Sequence, residues 1–171
     1  MLVMTTFYDV PPNQLLPVVA DELLNIESIV APDWAGHVKT GAHKERPPTQ
    51  DNWWQVRAAA MLRKIAMLGP IGVNHLSQEY GGKGNRGASP NSAMTGSRHI
   101  VRSVLQQLED AGLIEKDLNK IVEVEDEDGS KSKVNIYNGR KITGAGQRLL
   151  DNAAHGIRET VDANYPGMEK Y

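Results

Sequence analysis

The side chains of this sequence that are most suited to binding a ligand are basic, and they are concentrated in the middle of the chain. Residues 33–106 carry ten Lys or Arg against four Asp or Glu. Residues 1–32 carry four acidic and no basic side chains, and residues 107–138 carry nine acidic against four basic ones. The formal net charge is −2, yet this distribution permits a polyanion-binding face on a protein that is acidic overall.

Two arginines of this basic segment, Arg98 and Arg102, belong to an amphipathic helix predicted at 98–111. Ser97 is a suitable N-cap and Gly112 a suitable residue to end the helix. The apolar positions cover one arc of about 140° on the helix, formed by Ile100, Val101, Val104, Leu105, Leu108 and Ala111. The opposite side presents Arg98, His99, Arg102 and Gln106.

A glycine-rich segment carries a second pair of cations. Gly82-Lys83-Gly84-Asn85-Arg86-Gly87 satisfies the pattern G-x-G-x-x-G, but a dinucleotide site needs a strand before the pattern and a helix directly after it. A predicted helix precedes the segment and Pro90 follows it. We therefore interpret 81–96 as a flexible loop that presents Lys83 and Arg86 to phosphates and orders on binding. A merely solvated loop is the alternative.

Other chemistries have little support in the sequence. The absence of cysteine excludes disulfides, thiolate catalysis and Cys-based zinc sites. No two of the five histidines have the helical spacing of a zinc site. The acidic run 123–128 lacks the alternating ligands of a calcium loop and is interpreted as a solvated tip. No catalytic triad, carboxylate pair or P-loop is present, so we predict no enzymatic activity, no metal and no cofactor.

The three tryptophans could stack on nucleobases. Tryptophans that open buried helices are more often core anchors, however. We therefore predict that Trp34 and Trp53 belong to the core. Trp54, adjacent to Trp53, is then expected to be the exposed ring of the pair.

Periodicity predicts a mainly α fold around one central helix. The stretch 53–68 is apolar nearly all round, which is typical of a helix buried on most sides. Arg57 and Lys64 fall on one side of it, with Arg63 about 120° from Arg57. The remaining predicted segments are a helix at 13–25 capped by Asn13, a short helix opening at Pro32-Asp33-Trp34, an irregular stretch at 38–50, and helices at 73–80 and at 144–154 or further, the last capped by Thr143.

Alternating residues predict a β-hairpin after the helix at 98–111. Its strands fall at 113–117 with 121–124 and at 134–137, and its acidic tip at 125–133. Helix, short helix, loop, amphipathic helix, hairpin and helix follow one another as in a winged helix-turn-helix. The predicted fold is therefore a helical bundle around a central helix, with a winged helix-turn-helix-like part and the hairpin as its wing.

The whole chain, 1–171, is predicted to be one domain with its core at about 13–155. A flexible N-terminal lead-in, starting at Met1 or Met4, and a loose tail after Asn164 would flank that core. No stretch approaches the roughly 18–20 apolar residues that cross a bilayer, and no basic residue precedes the first apolar ones as in a secretory signal. We expect a cytoplasmic protein with no membrane partner.

These patterns leave three classes of function open. An RNA-binding protein would use the basic segment against a folded RNA. A winged-helix DNA-binding regulator would dimerise on palindromic duplexes, with Arg98 and Arg102 setting base preference. A nucleotide-dependent enzyme would bind a dinucleotide or ATP saturably.

Short motifs in a specific order, spread over about 13–151 and interrupted only at the hairpin, narrow this choice. They are Pro32-Asp33-Trp34, Val38-Lys39-Thr40-Gly41, His43-Lys44-Glu45, Asn52-Trp53, Arg57-Ala58-Ala59, Arg63, Gly72-Val73, Tyr80-Gly81-Gly82, Asn85-Arg86-Gly87, Pro90, Gly96-Ser97, Arg102, Val104-Leu105-Gln106-Gln107-Leu108-Glu109, Gly139-Arg140-Lys141-Ile142-Thr143 and Gly146-Gln147-Arg148. With them the chain resembles the nineteenth small-subunit ribosomal protein of the archaeal and eukaryotic type, which is unrelated to the bacterial protein of that number. Members are usually basic and have a shorter, less acidic hairpin than 118–138, which here indicates an archaeal source.

The resemblance implies a structural protein of the small ribosomal subunit, not an enzyme. It implies binding to rRNA in the head of the subunit beside neighbouring small-subunit ribosomal proteins, and a part in pre-rRNA maturation and subunit assembly. We expect the free protein to be monomeric and its acidic hairpin to face away from RNA. The family's RNA-binding face and adjoining motif positions fall on Lys39, Lys44, Arg57, Arg63, Lys64, Lys83, Arg86, Arg98 and Arg102, and its core anchor on Trp53.

Overall fold

Helix α2, Trp53–Leu68, forms the centre of the protein and has the predicted bounds. The structure is a computed structural model that describes residues 5–125 and 131–165. Helices α1 (Pro12–Leu24), α4 (Arg98–Asp110) and α5 (Gly144–Gly156) all pack against α2. The prediction of a helix buried on most sides is confirmed by six residues with 0 % exposure: Trp54, Ala58, Ala59, Met61, Leu62 and Ile65.

Helix α1 starts differently from the prediction. Its N-cap is Pro11 and its first residue is Pro12, so Asn13 lies inside the helix and does not cap it. A proline in the first turn forfeits no helical hydrogen bond, because the N–H groups of that turn have no intrahelical partner. The double proline therefore sets the start of the helix, and the predicted cap at Asn13 is wrong.

The core extends past both predicted limits. Phe7 is 0 % exposed in the segment before α1, and Val161 is 2 % exposed on α6 (Arg158–Asn164). The backbone N–H of Phe7 donates to the Asp151 carboxylate at 3.1 Å. The two ends of the described chain are thus packed together, and the first described residues belong to the core. The predicted tail after Asn164 lies almost wholly outside the described residues.

The short elements follow the predictions. Pro32-Asp33-Trp34 opens a single 3-10 turn, Asp33–Gly36. Helix α3 spans Val73–Glu79. The stretch 38–50 contains no helix or strand, apart from an isolated bridge between Gly41 and Gly96.

Helix α4 confirms the amphipathic prediction. The Ser97 hydroxyl accepts the Ile100 N–H at 3.4 Å, and Gly112 ends the helix region with φ of 71°. A positive φ favours glycine because it has no Cβ. The predicted apolar arc is buried apart from the half-buried Ala111, and the predicted polar side is exposed.

The stretch 81–96 is not the flexible loop that the sequence predicts. It forms an antiparallel hairpin, β1 (Gly82–Arg86) and β2 (Ser89–Met94), which we call the short hairpin. A two-residue connection, Gly87-Ala88, joins the strands, with Gly87 at φ of 68°. Such a connection needs glycine at its first position. The loop prediction failed because neither strand has apolar alternation.

The second hairpin confirms the prediction and is longer than expected. Strands β3 (Ile114–Glu125) and β4 (Lys131–Ile142) form the long hairpin. Of the predicted tip at 125–133, Glu125 and 131–133 belong to the strands, and 126–130 lie outside the described residues. An isolated bridge between Ile71 and Arg140 joins the base of this hairpin to the turn between α2 and α3. Thr143 then caps α5 by accepting the Gly146 N–H at 3.3 Å, as predicted.

Candidate nucleic-acid interface

A histidine ring between two glycines fixes the irregular segment after Lys39 to the short hairpin. A Cβ on Gly41 would lie 2.8 Å from the His43 ring, and so would a Cβ on Gly82. The ring therefore fills space that only glycine leaves open on both sides. Because of this packing, the basic residues that follow His43 lie beside β1, although some 40 residues separate them in sequence.

The first result of this packing is an open groove of about 750 Å³, which we call the polar groove. It brings together two predicted site residues, Lys44 and Lys83. It also contains Arg46, which the sequence-based set of site residues omits. The complete lining is His43, Lys44, Glu45, Arg46, Lys83, Asn85, Gly87 and Asn91. Three cations against one carboxylate, with two amide side chains, are well suited to contacting a phosphate backbone.

A second groove of about 400 Å³ continues from Lys44 and Arg46 to helix α2, and we call it the tryptophan groove. Its walls combine apolar and polar groups: Thr40, Lys44, Arg46, Pro47, Pro48, Thr49, Gln50, Trp53, Val56, Arg57 and Ala60. Lys44 and Arg46 line both grooves. The two grooves are therefore parts of one continuous surface, with these cations where they meet.

The side chain of Arg57 is held by an aromatic ring. Its guanidinium carbon lies 4.3 Å from the Tyr80 ring centroid, and the Lys64 ammonium lies 5.4 Å from the same centroid. Arg57 and Lys64 thus share one side of α2, as the helical spacing predicts. Cations over an aromatic face are attracted by its negative potential. Stacking on Tyr80 orients Arg57 without an acidic partner among the described residues.

Burial dominates the electrostatics of this cluster. Burial lowers the pKa of Arg57 below its usual value, and Tyr80 partly offsets that effect. Burial raises the pKa of Tyr80 to about 12, with Arg57 opposing the shift and Glu79 adding to it. Lys64 forms a 2.5 Å ion pair with Glu79, and its hydrogen bond holds the pKa of Glu79 below the usual range. Lys64 therefore has an acidic partner for its charge, whereas no acidic side chain of the described residues neutralises Arg57.

A separate basic patch lies on α4. Arg98 and Arg102 are exposed, and between them the His99 ring lies 5.0 Å from the ring of Trp34. Lys39 lines a third groove, of about 500 Å³, which reaches Ser97 at the start of α4. The segment that begins at Lys39 therefore connects the α4 patch with the polar groove.

Five predicted site residues line none of these grooves. Arg98 and Arg102 form the α4 patch and Lys64 pairs with Glu79, which leaves Arg63 and Arg86. Arg86 is exposed at the end of β1, next to the turn of the short hairpin. Arg63 is half-buried on α2, and its Nε is enclosed without a hydrogen-bond partner in the described part of the chain. Arg86 can still contact a long ligand, but Arg63 contributes more to packing than to an accessible surface.

Comparison with known proteins assigns the chain to a family. The pattern of the family described as ribosomal protein S19e matches residues 6–160. The chain is 40 % identical to small ribosomal subunit protein eS19 of Haloarcula marismortui, over 98 % of this chain and 99 % of that protein. It belongs to the ribosomal protein S19e family. The family resemblance predicted from the motifs is therefore confirmed.

Other S19e relatives come from archaea and eukaryotes. The eS19 protein of Thermoplasma volcanium is 38 % identical over 95 % of both chains. The eS19B protein of Schizosaccharomyces pombe is 36 % identical over 88 % of this chain and 93 % of its own. These relatives are named as ribosomal proteins and not as enzymes, which agrees with the prediction that the chain is not an enzyme.

The tryptophans of this S19e chain reverse one prediction. Trp54 is 0 % exposed, and its indole N–H donates to the Gln107 side chain at 2.7 Å, so the prediction of an exposed Trp54 is wrong. Trp53 and Trp34 are partly buried and pack against the core. Adjacent helical positions differ by 100° in direction, and a helix that is apolar nearly all round does not reveal which of the two points inward.

Two further features bound the chemistry of the chain. Within residues 5–125 and 131–165, no helix has the length and apolar character needed to cross a bilayer. The same residues contain no cluster of three His, Asp or Glu suited to holding a metal ion.

Proposed function

We propose that this S19e family member is a structural constituent of the small ribosomal subunit. It binds rRNA in the head of the subunit, and it supports pre-rRNA maturation and subunit assembly in the cytoplasm. The observation that carries the proposal is the continuous basic surface on which the polar and tryptophan grooves meet at Lys44 and Arg46. The names of its relatives as small-subunit proteins support the same assignment.

The proposed mechanism is recognition by shape and phosphate contact. The guanidinium groups of Arg46, Arg98 and Arg102 present planar donors that suit bidentate contacts with phosphate oxygens. The helices around α2 form a rigid support for these groups. Because base edges in A-form RNA grooves are hard to reach, such a surface distinguishes a folded junction by its backbone geometry.

The proposal also gives the long hairpin a position. Following α4, it corresponds to the wing of a winged helix-turn-helix, with α4 as the helix that approaches nucleic acid. Its sequence carries the acidic run 123–128, which phosphates would repel. We therefore place the outer part of this hairpin away from rRNA, toward neighbouring small-subunit ribosomal proteins. The free protein is proposed to be a monomer.

Isolation of ribosomal subunits at rising salt tests the proposal. The chain should co-sediment with small subunits at low salt, and absence from them would overturn the assignment. Arg46→Glu and Arg102→Glu should prevent incorporation without reducing helicity, because both side chains are exposed and form no ion pair within the described residues.

Lys120→Glu on the long hairpin is the matched control, since it makes the same charge change on an exposed strand residue. It should incorporate normally. Normal incorporation of both arginine variants would show that the basic surface is not the rRNA-binding face. A duplex DNA competitor that displaced rRNA would instead favour a DNA-binding regulator.

A further inference from the structure

We propose that the tryptophan groove binds one unstacked nucleobase of the bound RNA, while Lys44 and Arg46 contact the phosphates on either side of that nucleotide. The inference rests on the proposed rRNA binding and deepens it, because it assigns base and backbone to different grooves. The ligand class is an unpaired nucleotide in a loop, bulge or junction, where bases are free of their pairing partners.

The linings of the two grooves differ in the way that this division requires. The polar groove offers cations, amides, backbone and the His43 ring, with no indole and no aliphatic residue such as proline or valine. The tryptophan groove has an indole, two prolines, a valine and an alanine, together with the hydroxyls and amide of Thr40, Thr49 and Gln50. A nucleobase has two apolar faces and a polar edge, so it needs both kinds of group. A phosphate needs only polar and charged groups.

The groove has the dimensions and preorganisation of a ligand site. Its volume of about 400 Å³ falls within the usual range of small-ligand pockets. Trp53 meets the ring of Trp54 edge-on, with centroids 5.3 Å apart and planes at 77°. Trp54 is itself fully buried and hydrogen-bonded to Gln107. The indole of Trp53 is thus supported from behind, and little conformational entropy is lost when a base stacks on it.

Arg57 completes the groove. Tyr80 holds its guanidinium carbon 4.3 Å above the ring, and no acidic side chain of the described chain neutralises it. A planar guanidinium fixed in this way can donate to the polar edge of a base or to its phosphate. The arrangement of indole, guanidinium and flanking lysine combines stacking with charge, as single-stranded nucleic-acid sites do.

Binding of two probes of equal charge tests the assignment. One is an adenylate oligoribonucleotide of about six nucleotides, and the other is an abasic ribose-phosphate oligomer of the same length. At about 0.15 M salt the full-length protein should bind the adenylate probe about tenfold more tightly, equivalent to about 1.4 kcal/mol. Both probes should show the same slope of log affinity against log salt, because the phosphate contacts are the same.

Two variants locate this preference in the groove. Trp53→Leu removes the stacking surface, and Ala60→Leu fills the groove while leaving Trp53 in place. Each should abolish the difference between the probes and leave the salt slope unchanged. Trp34→Leu, which truncates another partly buried tryptophan outside this groove, should keep the difference. Circular dichroism shows whether each variant remains folded.

The outcomes are distinguishable. Equal binding of both probes by the unaltered protein overturns the base site and leaves rRNA binding intact, and it is also the result expected if a protein segment fills the groove. Binding of neither probe overturns the base site, while co-sedimentation with small subunits decides the proposed function separately. A base preference that survives both Trp53→Leu and Ala60→Leu overturns the location. Loss of the preference in these two variants alone supports the inference.

Discussion

The two β-hairpins of this chain are attached to the helices in different ways. The short hairpin is packed against the rest of the protein at both of its ends: the His43 ring lies against Gly82, and the backbone N–H of Gly96, just after β2, donates to the Ser77 carbonyl at 2.8 Å. The long hairpin is attached at its base, by the bridge from Ile71 to Arg140. Beyond Asp117 its side chains are largely exposed, including Val134 at 46 % and Ile136 at 39 %.

The packing of the two hairpins is the reverse of what their amino-acid compositions predict. The short hairpin is polar and rich in glycine, yet its first strand packs closely on the His43 ring. The long hairpin has valine and isoleucine, yet it packs on α2 and α4 only near its base, and its described residues beyond Asp117 are largely exposed. Close backbone approach stabilises the first, whereas the second keeps apolar surface that is available to a partner. In the proposed function, the first hairpin faces RNA and the second faces protein.

The largest effect on stability should follow from adding a side chain at Gly81, directly before the short hairpin. In Gly81→Val, the new Cβ would lie 2.5 Å from the Met94 carbonyl oxygen and 3.0 Å from that of Gln78. Both are backbone atoms, so relief requires the hairpin to shift. We expect the free energy of unfolding to fall by about 3 kcal/mol, measured by urea denaturation. Gly144→Ala, whose Cβ meets nothing within 4 Å, should be neutral or slightly stabilising. Equal stability of the two variants would contradict the close packing.

Charge reversal should have a smaller effect, on affinity for RNA, and this effect should differ between the two hairpins. Lys83→Glu lies in the polar groove, so affinity for a transcript of the rRNA head domain should fall about tenfold and the salt slope should decrease. Lys120→Glu makes the same change on the long hairpin and should leave both quantities unchanged. An equal loss in both variants would indicate an effect of net charge and not of a site.

The base of the long hairpin should show a pH-dependent contribution to stability. Glu109 on α4 pairs with Arg140 and with Lys116, each at 2.9 Å. Burial alone would raise the pKa of Glu109, but the hydrogen bonds and charges of Lys116 and Arg140 hold it below the usual 4.5. The carboxylate therefore stabilises the fold above pH 4.5, and this contribution is lost as the pH falls through the lower folded-state pKa.

Glu109→Gln should accordingly lower the free energy of unfolding by about 1 kcal/mol at pH 7. The difference from the unaltered protein should shrink as the pH falls below 4.5, since the folded-state pKa of Glu109 lies below that value. Glu123→Gln, which loses an exposed pair with Lys133 at 3.7 Å farther along the hairpin, should have no measurable effect in either pH range. A pH-independent loss in Glu109→Gln would show that packing, not charge, joins the hairpin to α4.

The smallest effect on stability should come from deleting the outer part of the long hairpin. Replacing residues 119–136 with a two-residue turn removes the outer part of the long hairpin after the Leu118 to Tyr137 pair. Because the residues of this part that the structure describes are largely exposed, the free energy of unfolding should change by no more than about 0.5 kcal/mol. Affinity for the rRNA transcript should also be retained. A loss as large as that of Gly81→Val would contradict the comparison of the two hairpins.

Sequence patterns predict the parts of the fold that repeat a local rule. Helix α2 and helix α4 were located to within a residue or so, because apolar periodicity and Ser97 with Gly112 define them within one segment. The long hairpin follows from its alternating residues. The short hairpin does not, because what stabilises it is glycine packing against His43 and Met94, and these contacts depend on residues brought together by the fold.

The candidate site shows the same limit. Lys44 and Lys83 were selected because of their charge and their place in family motifs, and the structure brings them into one groove. Arg46 follows the motif His43-Lys44-Glu45 directly, and the basic excess of 33–106 was the available signal for it. The roles of Trp53 and Trp54 depend on a rotation of 100° about α2, which tertiary packing decides.

The hydrogen bond between Phe7 and Asp151 has a consequence for the order in which the protein is made. The two residues are separated by 144 positions, and chain elongation at about 5–20 residues per second takes about 7–30 s to cover that distance. During this interval Phe7 of the nascent chain has no contact with α5. The basic surface is complete in sequence some 50 residues earlier, once Arg102 has been added. The polypeptide therefore contains every residue of the proposed RNA-binding surface before the segment around Phe7 can pack on α5.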